Sequence, residues 1–115
     1  MEIQTKDYSV QYDATTATVH FQGLLLLNGT EEYAPITQLL NQLIEQQLSI
    51  LTLNLQQLRM LNSSGFQMLS KFVMKARQYE DIQILIRGNQ NISWQTRSLQ
   101  NLQRLMPAIQ IELID

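Results

Sequence analysis

Between Ser49 and Ile86 the spacing of apolar residues changes period twice. Ser49 to Leu55 is a short, β-rich apolar run, as expected of a buried central strand. From Phe66 to about Gln78, Phe66, Leu69, Val73 and Ala76 share one stripe, widened by Met68 and Phe72. Lys71, Lys75 and Gln78 lie outside it, which is the pattern of an amphipathic helix. Ile82 to Ile86 is strand-like again and closes on Arg87-Gly88-Asn89. A strand, a helix and a strand in that order close through a right-handed crossover, which makes the two strands parallel. The centre of the chain is therefore α/β.

The flanks extend this pattern. Tyr8 to Tyr12 and Thr15 to Leu27 read as strands joined at Asp13-Ala14 into an opening antiparallel hairpin, with Gly23 marking a bulge or a close backbone approach. Asn28-Gly29-Thr30 reads as a turn. Pro35 suits the first turn of a helix, in which Ile36, Leu39, Leu40, Leu43 and Ile44 recur at helical spacing. Ser93 is a cap candidate for a third helix with Leu99, Leu102, Leu105 and Met106 inward, ended by Pro107. Ile109, Ile111 and Leu113 alternate as a last strand. The expected fold is one domain over 1–115, with a mixed sheet of about five strands. The opening hairpin is antiparallel and the remainder parallel, with about three helices mainly on one face.

Composition removes several function classes. With 44% apolar residues the chain can bury a core, and with no cysteine it has no thiolate metal site or disulfide. A net charge of −2, with only 16% charged residues, supplies no basic field for nucleic acid. The longest pure apolar run, Leu24 to Leu27, is far short of the roughly 20 residues of a membrane span. The first residues lack the shape of a secretion signal, so a cytoplasmic location is expected. The lone His20 is expected to point outward from its strand and cannot form a metal set, and no cofactor motif is present. A hydrolytic serine would need an imidazole, and no Gly-x-Ser-x-Gly elbow surrounds Ser63, so catalysis is not expected.

The segment Met60-Leu61-Asn62-Ser63-Ser64-Gly65-Phe66-Gln67 places two hydroxyls and a glycine where strand gives way to helix. A helix start has free N–H groups and partial positive charge, which suit a cap, an anion or a phosphorylated serine. Ser64 with Gln67 has capping-box spacing, and Asn62 is a competing cap. Phe66 is expected in the core, and Met60 and Leu61 are expected to be buried, with exposure of one of them as an apolar contact the alternative. Lys71, Lys75 and Arg77 form a modest basic edge. Trp94 is expected to be a partly buried lid over the sheet edge.

Asn62-Ser63-Ser64-Gly65 after an apolar strand, with Leu69 early in the helix and Ala76-Arg77 at its end, resembles the STAS domain of bacterial anti-sigma-factor antagonists. The resemblance implies a phosphorylation-controlled partner switch. A serine kinase, often itself the anti-sigma partner, modifies Ser63, with Ser64 the alternative, and a serine phosphatase reverses it. Met60, Leu61, Asn62, Ser63, Ser64, Gly65, Gln67 and Lys71 would then form the partner-binding surface. The departure is Asn62, where the family usually has Asp. Two other readings stay open: an unswitched docking domain that regulates another signalling enzyme, and a small-ligand sensor.

Overall fold

The computed structural model describes residues 1–114. Six strands form one sheet in chain order: β1 (Glu2–Gln4), β2 (Tyr8–Asp13), β3 (Thr18–Leu25), β4 (Ile50–Leu61), β5 (Gln83–Asn89) and β6 (Gln110–Ile114). The first three pair antiparallel and the last four pair parallel. Helices α1 (Gly29–Glu45), α2 (Ser63–Ala76) and α3 (Ser93–Leu105) are the three crossovers. Each crossover steps to the next strand in the same direction, so a shared right hand puts all three helices on one face. Val10, Val19, Phe21, Leu53, Leu55 and Ile86 form the sheet side of the core beneath them. The other face carries alternate residues such as Gln22, Asn54 and Arg87, and nothing in the described chain covers it.

Several boundaries differ from the sequence expectation. β1 is a sixth strand, too short to show a period of its own. The hairpin turn spans Ala14 to Ala17 rather than Asp13-Ala14. It is held by the Asp13 carboxylate, which accepts from the Thr15 hydroxyl at 2.6 Å and the Thr15 N–H at 3.0 Å. Those bonds hold the Asp13 carboxyl below its usual pKa. Helix α1 starts at Gly29, with Glu31 and Glu32 in its first turn and the Glu32 carboxylate accepting from the Asn28 N–H at 3.0 Å. Asn28-Gly29-Thr30 is thus a helix start, and Pro35 lies in the second turn. Ile92 rather than Ser93 occupies the N-cap position of α3, with no side-chain cap.

Strand β4 runs to Leu61, six residues beyond Leu55 in the sequence, because its alternation is interrupted rather than ended. Against β3 its register shifts twice: His20 pairs with Asn54 but Gln22 with Gln57, and Gly23 pairs with Leu58 but Leu24 with Met60. Each shift inserts one extra β4 residue, a bulge that is uncommon in a parallel pair. Beyond Asn54 the strand has no β5 partner. The first turn of α3 takes over there. Gln95, fully buried, donates from Nε2 to the Leu55 carbonyl (2.7 Å) and the Leu58 carbonyl (3.1 Å), and its Oε1 accepts from the Asn89 N–H at 2.7 Å. Trp94 is half-buried, as expected, and its indole N–H donates to the Leu58 carbonyl at 3.2 Å.

Candidate functional site

The end of β4 and the start of α2 form the site. Asn62, not Ser64, is the cap: its Oδ1 accepts from the Gly65 N–H at 2.9 Å, while the Phe66 N–H donates to the Asn62 carbonyl at 2.9 Å. Ser64 already sits inside the helix, so the Ser64–Gln67 capping box does not form. The Asn62 side chain is held at both ends. Its Nδ2 donates to the Leu27 carbonyl at 2.7 Å. The Tyr33 hydroxyl, with one proton, bridges Asn62 Oδ1 (2.7 Å) and the Leu25 carbonyl (3.0 Å). The Gly65 N–H must face an oxygen and the Leu27 carbonyl must face a donor, so the network fixes the amide orientation. Burial pushes the Tyr33 phenol above its ordinary pKa, which keeps it protonated as a donor.

Gly65 is required by proximity. A Cβ there would stand 2.3 Å from Leu61 Cδ1 and 2.6 Å from the Tyr33 oxygen. Helix α2 therefore begins pressed against α1, and Ser63 is displaced to the outside. Ser63 is exposed, whereas Ser64 is half-buried and lines a cleft between α1 and α2. Thr30, Tyr33 and Thr37 face Gln67 and Lys71 across that cleft. Its free volume of about 80 Å³ is well below the roughly 300–1,000 Å³ of small-molecule sites.

The other predicted positions fall around this point. Gln67 and Lys71 are exposed on α2, as is Arg77 at its end, while Lys75 forms an ion pair with Glu45 at 3.0 Å. Phe66 is half-buried and packs against the core edge rather than within it. Leu61 is half-buried beneath Gly65. Met60 is not buried: it is 50% exposed, on the uncovered face beside its register partner Leu24, which is 37% exposed. With Leu26, 47% exposed, these side chains make an apolar rim next to the helix start. His20 is half-buried on the uncovered face, its Nδ1 3.0 Å from Asn54 Nδ2, and it makes no hydrogen bond to Ser63.

Tyr33 and Gln95 were not singled out from the sequence. Tyr33 lies one turn before Ile36 on the α1 stripe, but reading Pro35 as the helix start leaves it outside. Gln95 stands four residues before Leu99 and seven before Leu102, a helical spacing concealed by its polar type.

No protein-family model matches the chain, and no curated protein matches it in sequence. Among the described residues no helix is long and apolar enough to cross a membrane. Solved structures do match in shape. One is a chain of the crystal structure of diguanylate cyclase SiaD in complex with its activator SiaC from Pseudomonas aeruginosa. It has a TM-score of 0.65 and 17% identity, over 99% of this chain and 99% of that one. Another is SiaC of Pseudomonas aeruginosa, with a TM-score of 0.69 and 13% identity, over 99% of this chain and 96% of that one. At such identity the likeness is one of architecture: a mixed sheet with an antiparallel start, a parallel remainder and three helices, which is the STAS-like fold that the serine segment implied.

Proposed function

We propose that this protein is a non-catalytic signalling module that binds a protein partner with the start of α2, and that phosphorylation of Ser63 releases the partner. The observation that carries this reading is the contrast between the two serines. Ser63 is exposed on a fixed helix start, while Ser64 faces the narrow α1–α2 cleft. A phosphate on Ser63 adds about −1.5 to −2 charges. The helix start tolerates that charge, so the fold persists, while a partner resting on Met60, Leu61, Gln67 and Lys71 meets repulsion and a desolvation cost.

The partner class is a signalling enzyme. A serine kinase of the anti-sigma type fits the motif, with a serine phosphatase to reverse the mark. The match to SiaC, the activator of diguanylate cyclase SiaD, supports a cyclase as the alternative target. A second reading, constitutive docking without phosphate control, is favoured by Asn62. Its amide serves the fold at both ends and puts no carboxylate beside the acceptor hydroxyl.

The test is comparative affinity capture from cells that make the protein, using wild type, Ser63→Ala and Ser63→Asp, with melting curves to show that all three fold. The switch reading expects a partner retained by wild type and Ser63→Ala and lost with Ser63→Asp. Equal retention by all three supports constitutive docking instead.

A further inference from the structure

The uncovered sheet face carries a second feature. Gln4 pairs with Ser9, Ser9 with Gln22, and Gln22 with Gln57, so one cross-strand row of hydrogen-bonding side chains spans β1 to β4. These four residues line a shallow, open polar cup of about 330 Å³. Lys6 and Arg59 line the same cup against one carboxylate, Asp7. Among the described residues neither cation forms an ion pair, although Lys75 and Arg87 both do.

The cup is held rigid from both sides. The turn that carries Lys6 is fixed by Thr5, whose hydroxyl oxygen accepts from the Asp7 and Tyr8 N–H groups at 3.2 Å each. It is fixed again by the Leu24 N–H, which donates to the Asp7 carbonyl at 2.9 Å. Gly23, at φ +92°, lets the turn approach, since a Cβ there would lie 2.3 Å from the Asp7 carbonyl oxygen. On the other side the two β4 register shifts bring Gln57 to the uncovered face and leave Arg59 as the extra residue. Buried Gln95 and the Trp94 indole hold the Leu55 and Leu58 carbonyls of that irregular stretch. Bulges that re-aim side chains cluster next to functional sites.

We infer that this cup binds a small phosphorylated molecule, with its phosphate between Lys6 and Arg59 and its polar body on the glutamine row. The site does not depend on the Ser63 reading, and either can fail alone.

The test is amide chemical-shift titration of the full chain with inorganic phosphate, adenosine monophosphate and adenosine, repeated on Lys6→Gln and Arg59→Gln after confirming unchanged melting. The inference expects saturable shifts at Lys6, Gln22, Gln57 and Arg59 with the two phosphate-bearing probes and none with adenosine. Each variant should weaken binding about tenfold or more, the loss of one charge-assisted hydrogen bond. Tighter binding of the nucleotide than of inorganic phosphate further supports a polar-body subsite. It is overturned if neither phosphate-bearing probe gives saturable shifts through the millimolar range. Shifts that map elsewhere, adenosine binding as well as its phosphate, or affinities unchanged in both variants overturn it equally.

Discussion

Replacing Asn62 with Asp, the residue usual in the resembling family, should destabilise this chain. The acceptor bonds to Gly65 and Tyr33 survive the change, but the donor to the Leu27 carbonyl does not, and a carboxylate oxygen is set 2.7 Å from that carbonyl. Losing a donor to a partly buried acceptor costs about 1–3 kcal/mol. The new charge at the helix start returns about 0.3–1 kcal/mol. The net expectation is a loss of about 1–2 kcal/mol near neutral pH. For a domain of this size that lowers the melting temperature by roughly 4–8 °C. Asn62→Ala, which also removes the cap, should cost more, about 2–4 kcal/mol. The Asn62→Asp deficit should narrow as the pH falls toward about 4, because the protonated carboxyl regains an O–H for the Leu27 carbonyl. Urea melts of the three proteins across pH decide it. An Asn62→Asp variant as stable as wild type at neutral pH would refute the claim that the amide donor holds the helix start.

The same geometry makes further predictions. Gly65→Ala should cost about 1–3 kcal/mol in a melt, since the added methyl overlaps Leu61 and the Tyr33 oxygen. Gln95→Leu should cost about 2–4 kcal/mol and speed hydrogen exchange in Leu55 to Leu61, because it removes a donor from the Leu55 and Leu58 carbonyls, the latter keeping only Trp94, and the acceptor of the Asn89 N–H. Tyr33→Phe should cost about 1 kcal/mol at neutral pH. The folded-state pKa of Tyr33 lies above its unfolded value, so its contribution is complete below about pH 10 and is lost as pH rises through the folded value. The variant should therefore lose less stability than wild type between about pH 8 and about pH 11 in paired denaturant melts.

What was readable in the sequence follows from which forces are local. The order of strands and helices, the parallel crossovers and the single helical layer came from apolar periodicity, which is a local record of burial. The length of β4 did not, because Gln56, Gln57 and Arg59 break the alternation where the strand bulges. Met60 was expected inside for its apolar type, but the two inserted residues offset one another, so it keeps the outward parity of Asn54. Local spacing offers both Ser64 and Asn62 as caps and cannot choose Asn62, because Tyr33 and Leu27, which hold its side chain, lie 29 and 35 residues away. The half-burial of Trp94 and the glycine at the bulge were legible because each has few structural alternatives.

If the exposed hydroxyl of Ser63 controls a protein-binding surface, part of the protein in its own cells carries a phosphate there. Intact-mass analysis with peptide mapping, on protein isolated from its own cells across growth and stress conditions, is the deciding measurement. The expected result is a fraction heavier by one phosphate, localised to Ser63, whose abundance changes with condition. A phosphate confined to other residues, or none under any condition, would contradict it.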